Sequence, residues 1–368
     1  MKTFKAFFKF NLTYVGIGIA FAFLLIFFTV WLTAYHGVTD RIDQLKVGIV
    51  NDDITFHTVM LTDQLPFTMV TMDQASAGVE KLNKRELDML IVVPRDFTEH
   101  LATSTAIIEF YINQAGPALS KQVMESTANE IVYKINEQAF TMKKEQLTSA
   151  PEPFLRDGVQ ALSLEGVQSK IIKLNHTEGF AASMIPLLVV LASFVGSMLM
   201  SLNLFQATKQ LAESYSKWSI LFTRFVIQFV VSVLLSALTM SLLLLFGFKL
   251  HVSLWEGFVF QVFVYLSFLC LTQMFTVLFG MAGMLLNIVS LSIQLVTAGV
   301  IVPRALLSDF YQLLSLLFPA TYGASGYFSI IYGGMNVAGE IKILTCIIVI
   351  TFGATLLKVA LSRENMTA

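Results

Sequence analysis

Residues 293–334 read IQLVTAGVIVPRALLSDFYQLLSLLFPATYGASGYFSIIYGG. The stretch begins as an apolar span and breaks at Pro303. It resumes as an amphipathic segment, breaks again at Pro319, and ends in a glycine-studded aromatic run closed by Gly333 and Gly334. Proline removes a backbone donor and crowds the preceding turn, so a water-soluble core helix has no use for two such interruptions. A membrane protein that lines its outer vestibule with short, partly buried segments does, because irregular backbone is tolerated at membrane depth where protein or a cavity surrounds it.

Working outward, composition agrees with a membrane setting. Of 368 residues, 55% are hydrophobic and only 13% are charged, against about 25% charged in ordinary soluble domains. The charges are segregated. Between His36 and Glu178 lie 20 acidic and 13 basic residues, a net of −7, while the remainder carries 5 acids against 11 bases, a net of +6. One part reads as an acidic soluble domain and the other as a basic-flanked membrane part. Cys270 and Cys346 both fall in apolar runs, where they read as small buried hydrophobes. The five histidines show no metal-ligand spacing.

Met1–Phe10, MKTFKAFFKF, sets three lysines among four phenylalanines. It reads equally as a cytoplasmic amphipathic element in the headgroup plane and as a positive flank that sets topology. Asn11–Tyr35 is uncharged and about 25 residues long, enough to span a bilayer. It exceeds the h-region of a signal peptide, so it is expected to remain as an anchor, with Trp31 and Tyr35 at the outer interface. Residues 36–178 are expected to form an extracytoplasmic α/β domain. Strands are read at Lys46–Asn51, Phe67–Thr71, Asp88–Pro94 and Ala106–Ile112, a helix at Asp73–Glu86, and a long amphipathic helix at Ala118–Leu147. After the proline-rich break at Ser149–Pro153, a second helical stretch is expected to return to the membrane near Asn175.

Five more spans follow, at Phe180–Asn203, Ser219–Phe248, Glu256–Met281, Met284–Val302 and Glu340–Leu361, forming a membrane domain over residues 179–363 with a short tail at 364–368. The expected fold is therefore a mainly α-helical polytopic membrane protein with six transmembrane helices and an inserted extracytoplasmic α/β domain. With both termini inside, eight basic residues (Lys2, Lys5, Lys9, Lys209, Lys217, Arg224, Lys358, Arg363) face the cytoplasm. Three (Lys249, Arg304, Lys342) lie in the outer loops beyond the soluble domain. That imbalance supports the N-in, C-in orientation.

No Asp, Glu, Lys or Arg is read at the centre of a span, which disfavours an autonomous ion-coupled transporter. Gln228, Gln261, Gln273, Asn287 and Gln294 are read as hydrogen bonds between packed helices in preference to substrate contacts. The chain lacks the G-x-x-x-x-G-K sequence followed by Ser or Thr, so energy for pumping has to come from another polypeptide. The surface such a partner could grip is the cytoplasmic loop Leu204–Trp218. There Leu204, Ala207, Leu211 and Tyr215 recur at helical spacing, with Lys209, Glu213 and Lys217 exposed between them. The same residues also fit a positive-inside topogenic loop.

The chain resembles the type-2 ABC exporter permease family, in its phage-infection-protein (Pip/YhgE-like) branch. The resemblance rests on Ile293-Gln294-Leu295, Gly299, Pro303, Phe310-Tyr311-Gln312, Pro319-Ala-Thr-Tyr322, Gly333-Gly334 and the strand Val47–Asp52. It implies a permease, not itself an enzyme, in a bacterial cell membrane. That permease pairs with a cytoplasmic ABC ATPase and with a second permease copy or paralogue, surrounded by membrane lipid and with no nucleic-acid partner. ATP and Mg would sit on the ATPase and no cofactor on this chain. The substrate would be an amphipathic drug, antimicrobial peptide or lipid-like molecule moved outward. Lys209, Glu213, Tyr215 and Lys217 would belong to the coupling loop. Gln294, Thr297, Pro303, Asp309, Pro319 and Tyr322 would belong to an outer re-entrant segment over 303–334 that lines an exit path. The rival expectation is a membrane-anchored receptor, adhesion or secretion-accessory protein that acts through its external domain.

Overall fold

In the computed structural model of the protein, residues 30, 33–56, 65–103, 105–148, 166–175 and 180–362 are described. The amphipathic segment at 1–10, the first expected span apart from Val30 and Thr33–Tyr35, the proline-rich break and the tail at 364–368 lie outside them. The chain divides into two units, one of Thr39–Thr177 and one of Met1–Val38 with Glu178–Ala368.

The unit of Thr39–Thr177 is built on a five-stranded sheet of β1 (Lys46–Asn51), β2 (Thr68–Thr71), β3 (Met89–Val93), β4 (Ala106–Asn113) and β5 (Val167–Leu174), in the order β2-β1-β3-β4-β5. The pairings of β1 with β2 and β3, and of β4 with β5, are parallel, while β3 and β4 run antiparallel. Central β3 reads MLIVV and is buried at every position, as a strand covered on both faces must be. Helices α1 (Ala75–Asn83), α2 (Phe97–Thr103) and α3 (Ala118–Thr148) complete the unit. They contribute Leu82, Phe97, Met124 and Ile131 to the core.

One expectation is corrected here. The described part of the stretch returning toward Asn175 is not a helix but strand β5, in register with β4 from Ala106↔Val167 to Asn113↔Leu174. Tertiary pairing decides it, for Asn136 on α3 also clamps both backbone groups of Val167, accepting its N–H at 2.6 Å and donating to its carbonyl at 2.8 Å. Asp53 ties the end of β1 to α2, accepting from the Thr55 hydroxyl at 2.6 Å and the Thr98 N–H at 2.7 Å. These bonds, the Thr55 hydroxyl foremost, hold its carboxyl well below the usual carboxylate range against the opposing effect of burial.

The second unit contains α4 (Phe180–Leu211), α5 (Lys217–Leu245), α6 (Leu254–Phe279), α7 (Gly283–Thr297), α8 (Asp309–Ser315), α9 (Pro319–Tyr332) and α10 (Ala338–Leu361). Four stretches are long and apolar enough to cross a bilayer: Ile185–Leu211, Lys217–Leu245, Leu254–Thr297 and Ala338–Leu361. The third folds back on itself at the 3-10 turn Gly280–Ala282. A Cβ on Gly283 would fall on the Phe275 carbonyl and 2.8 Å from Thr276 N, and Asn287 donates to the Thr272 carbonyl at 3.4 Å. α6 and α7 are thus an antiparallel hairpin. α7 stops at Thr297, short of the expected Val302, because Gly299 turns to φ +76 with the Arg304 side chain laid against it. The expected six spans are therefore not all seen among the described residues.

Lys217 Nζ donates to the Ser362 carbonyl at 2.7 Å, which puts the α4–α5 turn and the end of α10 on one face. His251 N–H donates to the Ile330 carbonyl at 2.7 Å, placing the α5–α6 turn beside the last turn of α9 at the other end of α5.

Two outcomes follow from these contacts. Gly283→Ala has to displace backbone of α6 and is expected to destabilise the membrane unit by about 1–3 kcal/mol, read as a lowered unfolding midpoint in detergent; an unchanged midpoint contradicts the tight hairpin. Asp53→Ala is expected to speed amide exchange in β1 and α2 at neutral pH. Because the folded pKa is depressed, the Asp53 contribution is complete above about pH 4, the unfolded value, and is lost as pH falls through the folded one, so the wild-type advantage should shrink in acid.

Candidate functional site

Along α5, residues spaced by three and four, Leu221, Arg224, Gln228, Ser232 and Ser236, are buried, while Phe222, Val226, Phe229 and Val230 are exposed. This is the pattern of a helix in lipid, apolar outside and polar toward its neighbours. Arg224, expected among the basic residues near the cytoplasmic end of its span, is only 3% exposed. It lies on the packed face with Gln228 one turn further on, and its Nη1 donates to Thr208 Oγ1 of α4 at 3.3 Å.

The neutral amides bond across helices. Gln228 Nε2 donates to Gln273 Oε1 at 2.8 Å, joining α5 to α6, and the Ser201 and Thr276 hydroxyls meet at 3.2 Å, joining α4 to α6. Further along, Gln261 of α6 donates to Ser193 Oγ of α4 at 3.1 Å and accepts from the Tyr327 hydroxyl of α9 at 2.6 Å. Helix α9 can lie this close because Gly326 faces the Phe260 ring, where a side chain would collide, and Gly323 packs against Val190 and Val264 with little room to spare. Its buried face runs nearly the whole helix, from Pro319 to Tyr332.

In the broken segment, the Gln294 amide links α7 to α9, donating to Ser290 Oγ at 2.8 Å and accepting the Ala320 N–H at 3.3 Å. It thereby satisfies one of the orphan donors in the first turn of α9, which Pro319 opens. Thr297 donates to the Ile293 carbonyl at 2.8 Å and Tyr322 to the Leu316 carbonyl at 3.0 Å. Pro303 starts a short 3-10 turn over Arg304–Leu306, and Asp309 is an exposed first residue of α8. The structure therefore brings Gln294 and Pro319 together, gives Thr297 and Tyr322 backbone partners, and leaves Asp309 apart. Tyr311, absent from the expected set, meets the Thr33 hydroxyl at 2.6 Å and so docks α8 against the residues that end the first expected span.

At the opposite end, Lys209, Glu213, Tyr215 and Lys217 run from the end of α4 through the connecting turn to the start of α5, with no separate helix. Residues 204–211 are the last two turns of α4, which runs on because Thr208 and its neighbours stay packed. Glu213 and Tyr215 lie in the connecting turn, exposed. Ser216 caps α5 by accepting the Ser219 N–H at 3.3 Å, and Lys217 is the first residue of α5. Lys209 stands 5.2 Å over the Phe205 ring. No group of three or more His, Cys, Asp or Glu side chains among the described residues could hold a metal.

Several apolar helices of bilayer length around an amide-linked interior define a multi-span membrane protein. The chain belongs to the ABC-2 family transporter proteins, whose family model matches residues 14–357. It is also similar to Uncharacterized protein YhgE of Bacillus subtilis (strain 168), with 24% identity over 179 residues, covering 48% of this chain and 23% of that protein. The aligned stretch thus spans about a quarter of the relative's length. No solved structure matches the chain.

The Gln261 linkage gives a direct test. Gln261→Leu leaves two buried hydroxyls unpaired and is expected to cost about 1–3 kcal/mol for each, whereas Tyr327→Phe strands only the Gln261 carbonyl and should cost about 1–3 kcal/mol in all. The double variant should cost less than the sum, since a phenyl ring at position 327 no longer needs the amide. Strict additivity in denaturant unfolding would show that the two residues are not coupled.

Proposed function

We propose that this chain is the permease subunit of an ATP-driven exporter that moves an amphipathic substrate outward, with ATP and Mg held by a separate cytoplasmic ATPase. Family membership supports the transporter, the membrane location and the ATPase partner. The observation that carries the finer reading is the α4–α5 turn. Lys209, Glu213 and Tyr215 are exposed there for a partner to grip, while Lys217 of the same turn is fastened to the end of α10 and Arg224 to α4. A push on this turn reaches three long helices without passing through a flexible linker.

The positive-inside imbalance supports a cytoplasmic position for this face and an external one for the acidic unit of Thr39–Thr177. The segment 303–334 then stands at the outer end, where helix α9 works as a gate packed on α4 and α6. The similarity to YhgE supports the Pip/YhgE-like branch, and the exposed apolar residues of α5 and α10 are surfaces for lipid and for a second permease copy.

Affinity purification of the full chain in mild detergent is expected to bring down a P-loop ATPase. Replacing Lys209, Glu213 and Tyr215 together by alanine should cut that recovery about tenfold or more, a loss of about 1.4 kcal/mol of binding, without changing the amount of chain in the membrane. Recovery unaffected by the triple change, or absence of any ATPase from the wild-type complex, counts against the reading.

A further inference from the structure

Buried polar atoms without a bonding partner are few in a folded chain. Among the described residues of α4 to α10 they fall on four side chains. Nε and Nη2 of Arg224 are buried and unbonded, with Nη1 alone reaching Thr208. One turn on, Gln228 keeps a free Oε1, and its partner Gln273 keeps a free Nε2. Asn287 of α7, whose Nδ2 donates to the carbonyl of Thr272 beside Gln273, keeps a free Oδ1. None of the ion pairs formed among the described residues includes Arg224.

A guanidinium removed from water without a counter-charge is unfavourable enough that the arrangement calls for an anion. The free Nε and Nη2 lie on one edge of the planar group, the fork that meets two oxygens of a single phosphate or carboxylate. Depth favours phosphate. Arg224 lies seven residues into α5, about 10 Å along the helix, just inside the boundary between headgroups and a hydrocarbon core about 30 Å thick. Lys209 and Lys217 flank the same end, with Glu213 the one acid between them in the turn, a charge balance that draws anionic lipid. The free oxygens of Gln228 and Asn287 want donors, which the phosphate cannot supply and headgroup hydroxyls can.

We infer that Arg224, Gln228, Gln273 and Asn287 form a binding site for an anionic glycerophospholipid headgroup that carries free hydroxyls. Phosphate sits on the guanidinium edge with the Gln273 amide nitrogen, and hydroxyls donate to Gln228 Oε1 and Asn287 Oδ1. Entry requires the Arg224–Thr208 contact between α5 and α4 to open. The site is independent of the export reading, since it asks only for binding.

The test uses the full chain, purified in mild detergent without any ATPase and placed in nanodiscs of phosphatidylglycerol diluted in phosphatidylcholine. Native mass spectrometry reads the retained lipid, and thermal unfolding is followed with added phosphatidylglycerol, phosphatidylcholine or inorganic phosphate. Wild type is expected to retain phosphatidylglycerol about tenfold over phosphatidylcholine and Arg224→Gln to erase that preference, a change of about 1.4 kcal/mol. Gln228→Leu, which keeps the guanidinium, should lower the preference severalfold, so the outcome does not hang on the folding of one variant. Equal retention of the two lipids by wild type, the same preference in both variants, or stabilisation by inorganic phosphate equal to that by the lipid would each overturn the proposal.

Discussion

Hydrocarbon offers a buried polar group no water to bond, so each one must find its partner inside the protein. In this chain that constraint is met by one amide above the rest. Gln261 accepts from Tyr327 and donates to Ser193, which pins the short buried helix α9 to α6 and α4 at once. Gln294 does the same at the other end of α9, taking the Ala320 N–H that the helix start leaves unpaired. A helix of fourteen residues is thereby held among longer ones with one donor of its first turn satisfied, and the breaks at Pro303 and Pro319 become joints between fixed pieces.

Where the constraint is not met is equally informative. The amide lattice is closed around α9 and open around Arg224, where four side chains keep unbonded atoms. A well-satisfied network rigidifies, while a partly satisfied one is poised for a partner or a second arrangement. The two regions lie toward opposite ends of α6, with Gln261 near its start and Gln273 near its end, and that helix connects them as a rigid rod. In the proposed permease this gives a plain division of labour, with a firm outer gate and an adaptable cytoplasmic end beside the turn that the ATPase would move.

Much of the architecture was legible in the residues. Apolar runs located α4, α5, α6 and α10 to within a few residues, apart from the C-terminal end of α4, and β-branched runs located β1 to β4, because both signals are local. The reading of the glutamines as ties between helices matches the bonds that Gln228, Gln261 and Gln294 make across helices, although Gln228 and Gln273 each keep an atom unbonded. Pairing was not legible. β5 looked helical because its alternation is weak, and only β4 and Asn136 settle it as a strand. The end of α4 was read as a separate element because its charges resemble a loop. The burial of Arg224 was not legible, because a sequence shows how far a residue lies from a helix end and not which face is packed. The reversal between α6 and α7 falls where the spans were set to end at Met281 and resume at Met284, with the turn at Gly280–Ala282.

The central claim is that an ATPase acts on the turn between α4 and α5 from the cytoplasm. The most direct measurement is photo-cross-linking in intact cells from a benzophenone-bearing residue at position 215, in place of Tyr215, with the adduct identified by mass spectrometry. The expected result is an adduct with a P-loop ATPase, and no labelling of a cysteine at the same position by an impermeant reagent added outside. Adducts that contain no ATPase, or labelling of that cysteine from outside the cell, would contradict it.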